Sequence, residues 1–172
     1  WLKYCPISLI SSDPKALIKF MQEQKGTWVL KPNAGSFGRD VNFFDTSENG
    51  VKTIQRICSA EKEFFILQRF LPEIRKGETR CLYANGSIIG SYLKQPQKGN
   101  YANVAQNAKV SKTNLTLNQK KIIAEISSEL KDLKIGFASI DLVKDTLMEV
   151  NMANPGGLQS LESLYKRDFS AD

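Results

Sequence analysis

Histidine is absent from the 172-residue sequence, and cysteine is scarce, with three residues in all. Without histidine the chain cannot build a Ser-His-Asp hydrolase site, a histidine-activated cysteine nucleophile or a histidine-ligated zinc site. The three cysteines, Cys5, Cys58 and Cys81, are odd in number, widely spaced and set among apolar residues. Because this pattern indicates reduced, buried thiols rather than a disulfide framework, we expect a cytoplasmic protein.

Long apolar runs and clustered basic residues are also missing. The longest apolar runs, such as 64–67, have the length of a strand and are far too short to cross a bilayer. The net charge of +6 is spread along the whole sequence rather than gathered into a basic arm. We therefore expect no membrane and no nucleic-acid partner, whereas an anionic small molecule such as a nucleotide is compatible. Because Trp1 stands where a methionine would begin a chain, we also expect an upstream part.

Apolar periodicity and turn residues predict an α+β fold with mainly antiparallel sheets, in two lobes, 1–70 and 71–172. Asn85-Gly86 is the strongest hairpin signal, and the apolar stripe from Ile122 to Leu133 predicts a long helix over 116–134. The polar stretch 95–111 predicts a long loop. Three more helices are expected: one that begins at 14, one at 51–58 and one at 158–165. The expected remaining strands lie at 6–10, 27–31, 41–44, 64–70, 80–83 and 88–93.

Two apolar segments around Lys144-Asp145-Thr146 predict a further hairpin. If these three residues form the loop, Asp141 lies opposite Glu149, and the strand period of two places Asn151 on the same face. Two carboxylates and an amide make a hard-oxygen site of the kind that Mg²⁺ accepts, with positions left for water and phosphate oxygens. The alternative is the polar outer face of an amphipathic hairpin.

Two other stretches carry candidate chemistry. Lys31 ends a strand and precedes a loop with two glycines, where backbone N–H groups can approach phosphate oxygens closely; the alternative is an ordinary β-turn. The strand that ends at 68–72 offers backbone groups to an adenine edge, and Arg80 opens the next strand, where its guanidinium can face a phosphoryl group. The alternative for Arg80 is a surface arginine.

The order of these features resembles that of the ATP-grasp superfamily and, within it, the bacterial glutathione synthetases. The match covers nearly the whole chain, and the ordered set is specific although no single member is. The matching stretches are Val29-Leu30-Lys31-Pro32 with the Gly35/Gly38 loop, Leu67 to Ile74, Lys76-Gly77-Glu78-Thr79-Arg80, Gly136 to Asp141, and Glu149-Val150-Asn151.

The resemblance implies an ATP-grasp fold in which two α+β lobes clasp ATP, with the 33–39 segment as a lid. It implies a catalytic role for Arg80 and Asn151 and two Mg²⁺ ions held by Asp141, Glu149 and Asn151. The residues implied to bind ATP are Lys31, Gly35, Ser36, Gly38, Gln68, Arg69, Phe70, Leu71 and Glu78. The residues implied to form the substrate loop are Lys94, Asn103, Asn154, Gly156 and Gly157.

The implied reaction joins the carboxylate of a small molecule or peptide to an amine. ATP phosphorylates the carboxylate, and the amine then displaces phosphate. Because the resemblance is to glutathione synthetases, glutathione biosynthesis is the expected setting. Such catalysis depends on positioning and charge neutralisation, for which histidine is not required. Self-association into a homo-oligomer stays open.

The sequence also departs from the family pattern. Lys94-Gln95 and Tyr101 stand where glutathione synthetases carry arginines that recognise carboxylate and phosphate groups. Asn154-Pro155-Gly156-Gly157 replaces a Thr-Ser-Pro type of turn. The family's first nucleotide-binding lysine and its N-terminal substrate domain are expected upstream of Trp1, so this chain alone is expected to bind ATP poorly.

Three other functions therefore stay open. The first is an ATP-grasp ligase that adds an amino acid to a peptide or protein. The second is a non-catalytic nucleotide-binding ATP-grasp domain, and the third is a generic α+β binding module without nucleotide.

Overall fold

The computed structural model describes residues 1–33, 41–60, 63–97 and 108–170. The chain divides into two compact units, a small unit, Pro6–Leu71, and a large unit made of Trp1–Cys5 with Pro72–Asp172. The first five residues therefore fold with the large unit, whereas the sequence analysis assigned them to the first lobe. Trp1 and Tyr4 pack against the core of the large unit, and the Tyr4 hydroxyl donates to Glu125 at 2.7 Å.

The small unit is a four-stranded antiparallel sheet with two helices on one face. The strands follow the spatial order β1-β4-β2-β3. The elements are β1 Ser8–Ser11, α1 Pro14–Gln22, β2 Trp28–Pro32, β3 Asn42–Phe44, α2 Glu48–Ala60 and β4 Phe65–Arg69.

Local sequence explains where the helices of the small unit lie. Asp13 caps α1 by accepting a hydrogen bond from the Lys15 amide at 2.9 Å, while Pro14 occupies the first turn, where its missing N–H costs nothing. The apolar residues of both helices recur at helical spacing and bury against one face of the sheet. This core consists of Leu17, Met21, Trp28, Leu30, Phe44, Ile54, Cys58, Phe65 and Leu67.

The large unit is a five-stranded antiparallel sheet with the spatial order β7-β6-β5-β8-β9. Helix α3 packs on one face of this sheet and α4 on the other. The elements are β5 Glu78–Ala84, β6 Ser87–Gln95, β7 Lys109–Lys112, α3 Leu117–Asp132, β8 Phe137–Val143, β9 Thr146–Asn151 and α4 Leu158–Tyr165, with short 3₁₀ helices at Leu2–Tyr4 and Pro72–Lys76.

The strongest local predictions for the large unit are confirmed. Asn85 and Gly86 both have positive φ, 44° and 96°, as the tight turn between β5 and β6 requires. Helix α3 begins within one residue of its predicted start, where Thr116 forms a capping box with Gln119. Two predictions are wrong: Leu133 lies beyond the buried stripe and is 63 % exposed, and the last three residues of the expected loop 95–111 belong to strand β7.

The β8–β9 hairpin pairs as predicted, although its turn differs from the prediction. Val143 pairs with Thr146, so the turn has two residues rather than three. The register then shifts by one residue at a β-bulge, where Met148 is the extra residue. The bulge restores the predicted pairing of Asp141 with Glu149.

In the part of the chain that the structure describes, no helix has both the length and the apolarity that a membrane span requires.

Candidate functional site

One face of the five-stranded sheet gathers the polar residues that the sequence analysis selected in the large unit. Residues opposite one another in register share a face, as do residues two apart on one strand. The pairs on this face are Glu78 with Lys94, Arg80 with Tyr92, Arg80 with Asp141, Asp141 with Glu149, and Ser139 with Asn151.

Four of these side chains form a buried, charge-balanced cluster, which we call the four-charge cluster: Glu78, Arg80, Lys94 and Asp141. Arg80 binds Asp141 with two parallel hydrogen bonds, Nε to Oδ1 at 2.9 Å and Nη2 to Oδ2 at 2.7 Å. The Lys94 ammonium lies 3.0 Å from Asp141 Oδ2 and 2.6 Å from Glu78 Oε2. Since Asp141 is 1 % exposed and Lys94 is 4 % exposed, water screens these contacts little.

The acidic residues of the cluster have opposite pKa shifts. Burial and the like charge of Asp141 raise the pKa of Glu78 to about 7, although Lys94 opposes the shift. Burial also favours the neutral form of Asp141, but Lys94 and Arg80 together hold its pKa below the usual value. Asp141 is therefore the permanently charged carboxylate of the cluster, and Glu78 is the one that titrates near neutrality.

Glu149 and Asn151 lie beside the cluster on β9. Glu149 is exposed, and the Asn151 side-chain oxygen accepts a hydrogen bond from the Asn154 amide at 3.1 Å. The 152–157 loop is also held by Arg80, whose Nη1 donates to the Pro155 carbonyl at 3.1 Å. The loop expected to meet the substrate is thus attached to both the cluster and the predicted metal ligands.

The donor set in this region fits Mg²⁺. Among the described residues, no three His, Cys, Asp or Glu side chains form a group that could hold a metal by themselves. Mg²⁺ is usually held by one or two carboxylates together with substrate phosphates and water, so Asp141, Glu149 and the Asn151 amide oxygen are a suitable set. Asp141 and Glu149 are directly opposite in register, and Glu149 is exposed to an arriving ion.

The substrate-loop residues are not all in a loop. Lys94 lies in β6, where its side chain belongs to the four-charge cluster. Gly156 and Gly157 have positive φ, 57° and 93°, which favours glycine. A Cβ added to Gly157 would clash with the Tyr92 hydroxyl, so the loop can approach the sheet closely only without a side chain there.

In the small unit, Lys31 and Gln68 lie on the sheet face opposite the helices. Lys31 pairs with Ile66, and Val29 pairs with Gln68, which places all four side chains on that face. Gln68 is 7 % exposed and donates to the Ser8 hydroxyl at 3.3 Å. Lys31 is half-buried. Together they present a cation and an amide on a largely apolar surface.

The residues after Gln68 differ in orientation. The Arg69 side chain lies on the helix-covered face, where its guanidinium stacks 4.6 Å from the centre of the Trp28 ring and donates to the Lys25 carbonyl. The Phe70 ring packs edge-to-face against Phe43. The amides of Arg69 and Phe70 donate to the carbonyls of Ile7 and Thr27, so neither is available to adenine. Leu71 is half-buried at the end of the unit.

Four predicted site residues, Gly35, Ser36, Gly38 and Asn103, lie outside the described residues.

Sequence reasoning missed two contributors to the large-unit face. Tyr92 is opposite Arg80. Ser139 is 1 % exposed, and its buried hydroxyl has no hydrogen-bond partner within the described residues. Ser139 precedes Asp141 by two residues, so strand alternation alone would have placed it on the same face. Placing Tyr92 there required the register of β5 with β6.

Comparison with known proteins identifies the family. A family model described as the ATP-grasp domain of prokaryotic glutathione synthetase matches residues 1–166. The chain belongs to this family. Glutathione synthetase from Prochlorococcus marinus subsp. pastoris is 36 % identical over 165 residues, which cover 95 % of this chain and 53 % of the relative. The enzyme from Synechocystis sp. is 30 % identical over 161 residues, covering 92 % and 50 %. The ATP-grasp domain described here thus spans about half the length of these relatives.

Solved structures agree on the fold. D-cycloserine synthetase DcsG has a TM-score of 0.66 at 17 % identity, with 86 % of this chain and 57 % of that chain covered. D-alanine–D-alanine ligase from Bacillus anthracis, complexed with ATP, has a TM-score of 0.66 at 15 % identity, with 97 % and 57 % covered. The predicted α+β, antiparallel ATP-grasp fold is therefore confirmed.

Proposed function

We propose that this chain is the ATP-binding part of an ATP-dependent carboxylate–amine ligase of the glutathione synthetase type. The observation that carries the proposal is the single sheet face that brings Glu78, Arg80, Asp141, Glu149 and Asn151 together, in a chain of the glutathione synthetase family. In the proposed reaction a carboxylate oxygen attacks the γ-phosphorus of ATP, which releases ADP and forms an acyl phosphate. The amine nitrogen then attacks the acyl carbon, phosphate leaves, and an amide results.

Asp141, Glu149 and Asn151 would hold Mg²⁺, and we propose two ions. When bound, the metal would neutralise charge on the phosphate oxygens as the γ-phosphoryl group is transferred. This chain's own residues contribute orientation. Arg80 fixes Asp141 through two hydrogen bonds and the Pro155 carbonyl through a third. Since a guanidinium has five N–H donors, two stay available for a phosphoryl oxygen.

Residues of the small unit have proposed roles in nucleotide binding as well. We propose that Lys31 and Gln68, on the sheet face of the small unit opposite its helices, meet the phosphates and adenine, with Phe70 and Leu71 beside the base. For Arg69 the backbone carbonyl would take part rather than the amide or the side chain, because the amide donates to Ile7 and the guanidinium is held on the other face. Gly35, Ser36 and Gly38 would cover the phosphates, and Glu78 would hold the ribose hydroxyls.

The experiment is ADP release by the full-length protein with a panel of amines and carboxylates. Glu149→Gln removes one proposed metal ligand at an exposed position, so it should abolish acceptor-dependent ADP release while the protein stays folded; Asp141→Asn should abolish it as well. Wild-type turnover in both variants would exclude the proposal. Asp145→Asn, an exposed change at the tip of the same hairpin, is the matched control and should keep full activity.

The acceptor is a separate question, on which Lys94 bears directly. Its ammonium is paired with Glu78 and Asp141. It is therefore poorly placed to recognise a substrate carboxylate, which is the role of the arginine that the family carries at this position. This favours, as a second candidate, a ligase that adds an amino acid to a peptide or protein. Several structural neighbours are described as ATP-grasp ligases bound to precursor peptides. Phosphate release with peptide acceptors, compared with γ-glutamylcysteine plus glycine, separates the two candidates.

If ATP–Mg²⁺ binds without acceptor-stimulated ADP release, the non-catalytic nucleotide-binding function is favoured. If ATP–Mg²⁺ produces no thermal shift in the full-length protein, a binding module without nucleotide is favoured. Three cysteine thiols, of which Cys58 and Cys81 are buried, support the proposal of a reducing, cytoplasmic setting.

A further inference from the structure

Lys94 occupies an acceptor position on the Asp141 carboxylate that a metal ion could use. Its ammonium lies 3.0 Å from Asp141 Oδ2, and the same oxygen accepts a hydrogen bond from Arg80 Nη2 at 2.7 Å. A carboxylate oxygen has two lone-pair directions, so both acceptor positions of Oδ2 are occupied by these cationic donors. A metal that binds this oxygen therefore has to displace one of them.

The two cations are not equally held. Arg80 makes two hydrogen bonds to Asp141 and a third to the Pro155 carbonyl, so its guanidinium cannot move without breaking all three. Lys94 has a flexible stem and a second carboxylate partner, Glu78, at the shorter distance of 2.6 Å. Lys94 can release Asp141 and keep an ion pair, whereas Arg80 cannot.

The charge balance favours the same exchange. When Glu78 is ionised, the two carboxylates and two cations of the four-charge cluster sum to zero, and their side chains are 2–17 % exposed. A divalent ion would add two positive charges where solvent screening is weak, and repulsion from the nearest mobile cation is the largest cost. Glu149 on the adjoining strand supplies one compensating charge, but it does not remove the contact between Lys94 and the Asp141 oxygen.

We infer that Lys94 is a resident counter-ion of the metal site, which neutralises Asp141 in the metal-free protein and has to move from it toward Glu78 before a divalent cation can bind Oδ2 of Asp141. The inference rests on the proposed function, because it requires a metal at Asp141. Lys94 thereby lowers the metal affinity of the site while keeping two buried carboxylates paired.

The test is Mn²⁺ binding to the nucleotide-free full-length protein, measured by electron paramagnetic resonance of the free ion. The informative variant is Glu78→Gln/Lys94→Met, because it keeps the net charge of the cluster at zero and leaves Asp141 paired with Arg80. If only net charge mattered, its affinity would equal that of the wild type. If Lys94 competes for Asp141, the variant should bind Mn²⁺ roughly tenfold more tightly, the usual scale of coupling between two ligands.

Lys94→Met alone should also tighten Mn²⁺ binding, and Lys109→Met, an exposed change on the neighbouring strand, should leave it unchanged. Equal or weaker binding by the double variant would overturn the inference, even if the single variant does not fold. An equal gain in Lys109→Met would also overturn it, because the effect would then be general electrostatics.

Glu149→Gln separates this inference from the proposed function. If wild-type protein binds Mn²⁺ and Glu149→Gln does not, the metal site stands, and the Lys94 variants decide the inference alone. If no variant binds Mn²⁺, or if Glu149→Gln binds as the wild type does, the proposed metal site fails, and the inference fails with it.

Discussion

The predicted site residues lie on one sheet face in each unit, and the two faces differ in how far their polar groups satisfy one another. In the large unit, Arg80, Lys94 and Asp141 are paired at 2.7–3.0 Å and are almost fully buried. In the small unit, Lys31 is half-buried on an apolar surface and makes no ion pair within the described residues. The face of the large unit should therefore combine binding with stability, whereas the face of the small unit should serve binding alone.

The largest expected effect is that of Arg80→Met. This change leaves two buried carboxylates with Lys94 as their single counter-ion, and an uncompensated buried charge costs about 3–5 kcal/mol. Urea denaturation in the presence of EDTA should report this loss for the large unit. Lys121→Met, an exposed change on α3, should lie within about 0.5 kcal/mol of the wild type. A loss below about 1 kcal/mol for Arg80→Met would show that the cluster does not stabilise the unit.

The next effect is a pH dependence that only the large unit should have. The folded-state pKa of Glu78 is about 7, above its ordinary value of 4.5, so the folded protein binds this proton more tightly than the unfolded chain does. The resulting stabilisation is complete below the ordinary value and disappears as the pH rises to about 7. Between pH 5 and pH 8 the free energy of unfolding should fall by roughly 2 kcal/mol relative to Glu78→Gln.

The quantity to measure is the difference in free energy of unfolding between wild type and Glu78→Gln, in EDTA. The contributions of the other titrating groups cancel in this difference. A flat difference would mean that Lys94 keeps Glu78 charged throughout. A difference that grows with pH would mean that the ion pair outweighs the burial of the carboxyl group.

Two adjacent glycines test how tightly the 152–157 loop is fitted to the cluster. Gly156→Ala meets no neighbouring atom and should cost about 1 kcal/mol, the price of a left-handed backbone. Gly157→Ala carries the same backbone cost, and its Cβ would also clash with the Tyr92 hydroxyl and lie 3.3 Å from Arg80 Cδ. Denaturation should therefore show a further loss of at least about 1 kcal/mol for Gly157→Ala. Equal losses would mean that the loop moves away at little cost.

The sequence predicted the pairing of Asp141 with Glu149 partly through cancelling errors. It assumed a three-residue turn at 144–146, whereas the structure has a two-residue turn and a bulge at Met148, and both arrangements pair Asp141 with Glu149. Because a one-residue slip moves every side chain to the other face, the pairing would have failed if one error had occurred alone. Turn residues can be identified from sequence, whereas a bulge in a strand of ordinary residues leaves no local signal.

The burial of Lys94 could not be predicted for the same reason. The Asn85-Gly86 turn alone would pair Glu78 with Leu93, and a bulge at Ile89 shifts the register so that Glu78 meets Lys94. The opposite orientation of Arg69 was available from strand alternation, since it follows Gln68 directly. The starts of α1 and α3 were predicted to within one residue, because their caps, Asp13 and Thr116, act through neighbours in sequence, whereas α2 begins at Glu48, three residues before its predicted start.

The smallest effect on stability, and the sharpest contrast with Arg80, is expected for Lys31→Met. Lys31 pairs with Ile66 on the sheet face opposite the helices, and a methionine there keeps the apolar stem while removing a charge without a partner in the described residues. The free energy of unfolding should change by less than about 0.5 kcal/mol. ATP affinity, measured by calorimetry with Mg²⁺ on the full-length protein, should fall roughly tenfold, because a charge-assisted hydrogen bond to phosphate is worth about 1.5–3 kcal/mol. Lys15→Met, on the exposed surface of α1, should change neither quantity. If Lys31→Met unfolds the small unit, or leaves ATP binding intact, the separation of binding from stability in that unit is wrong.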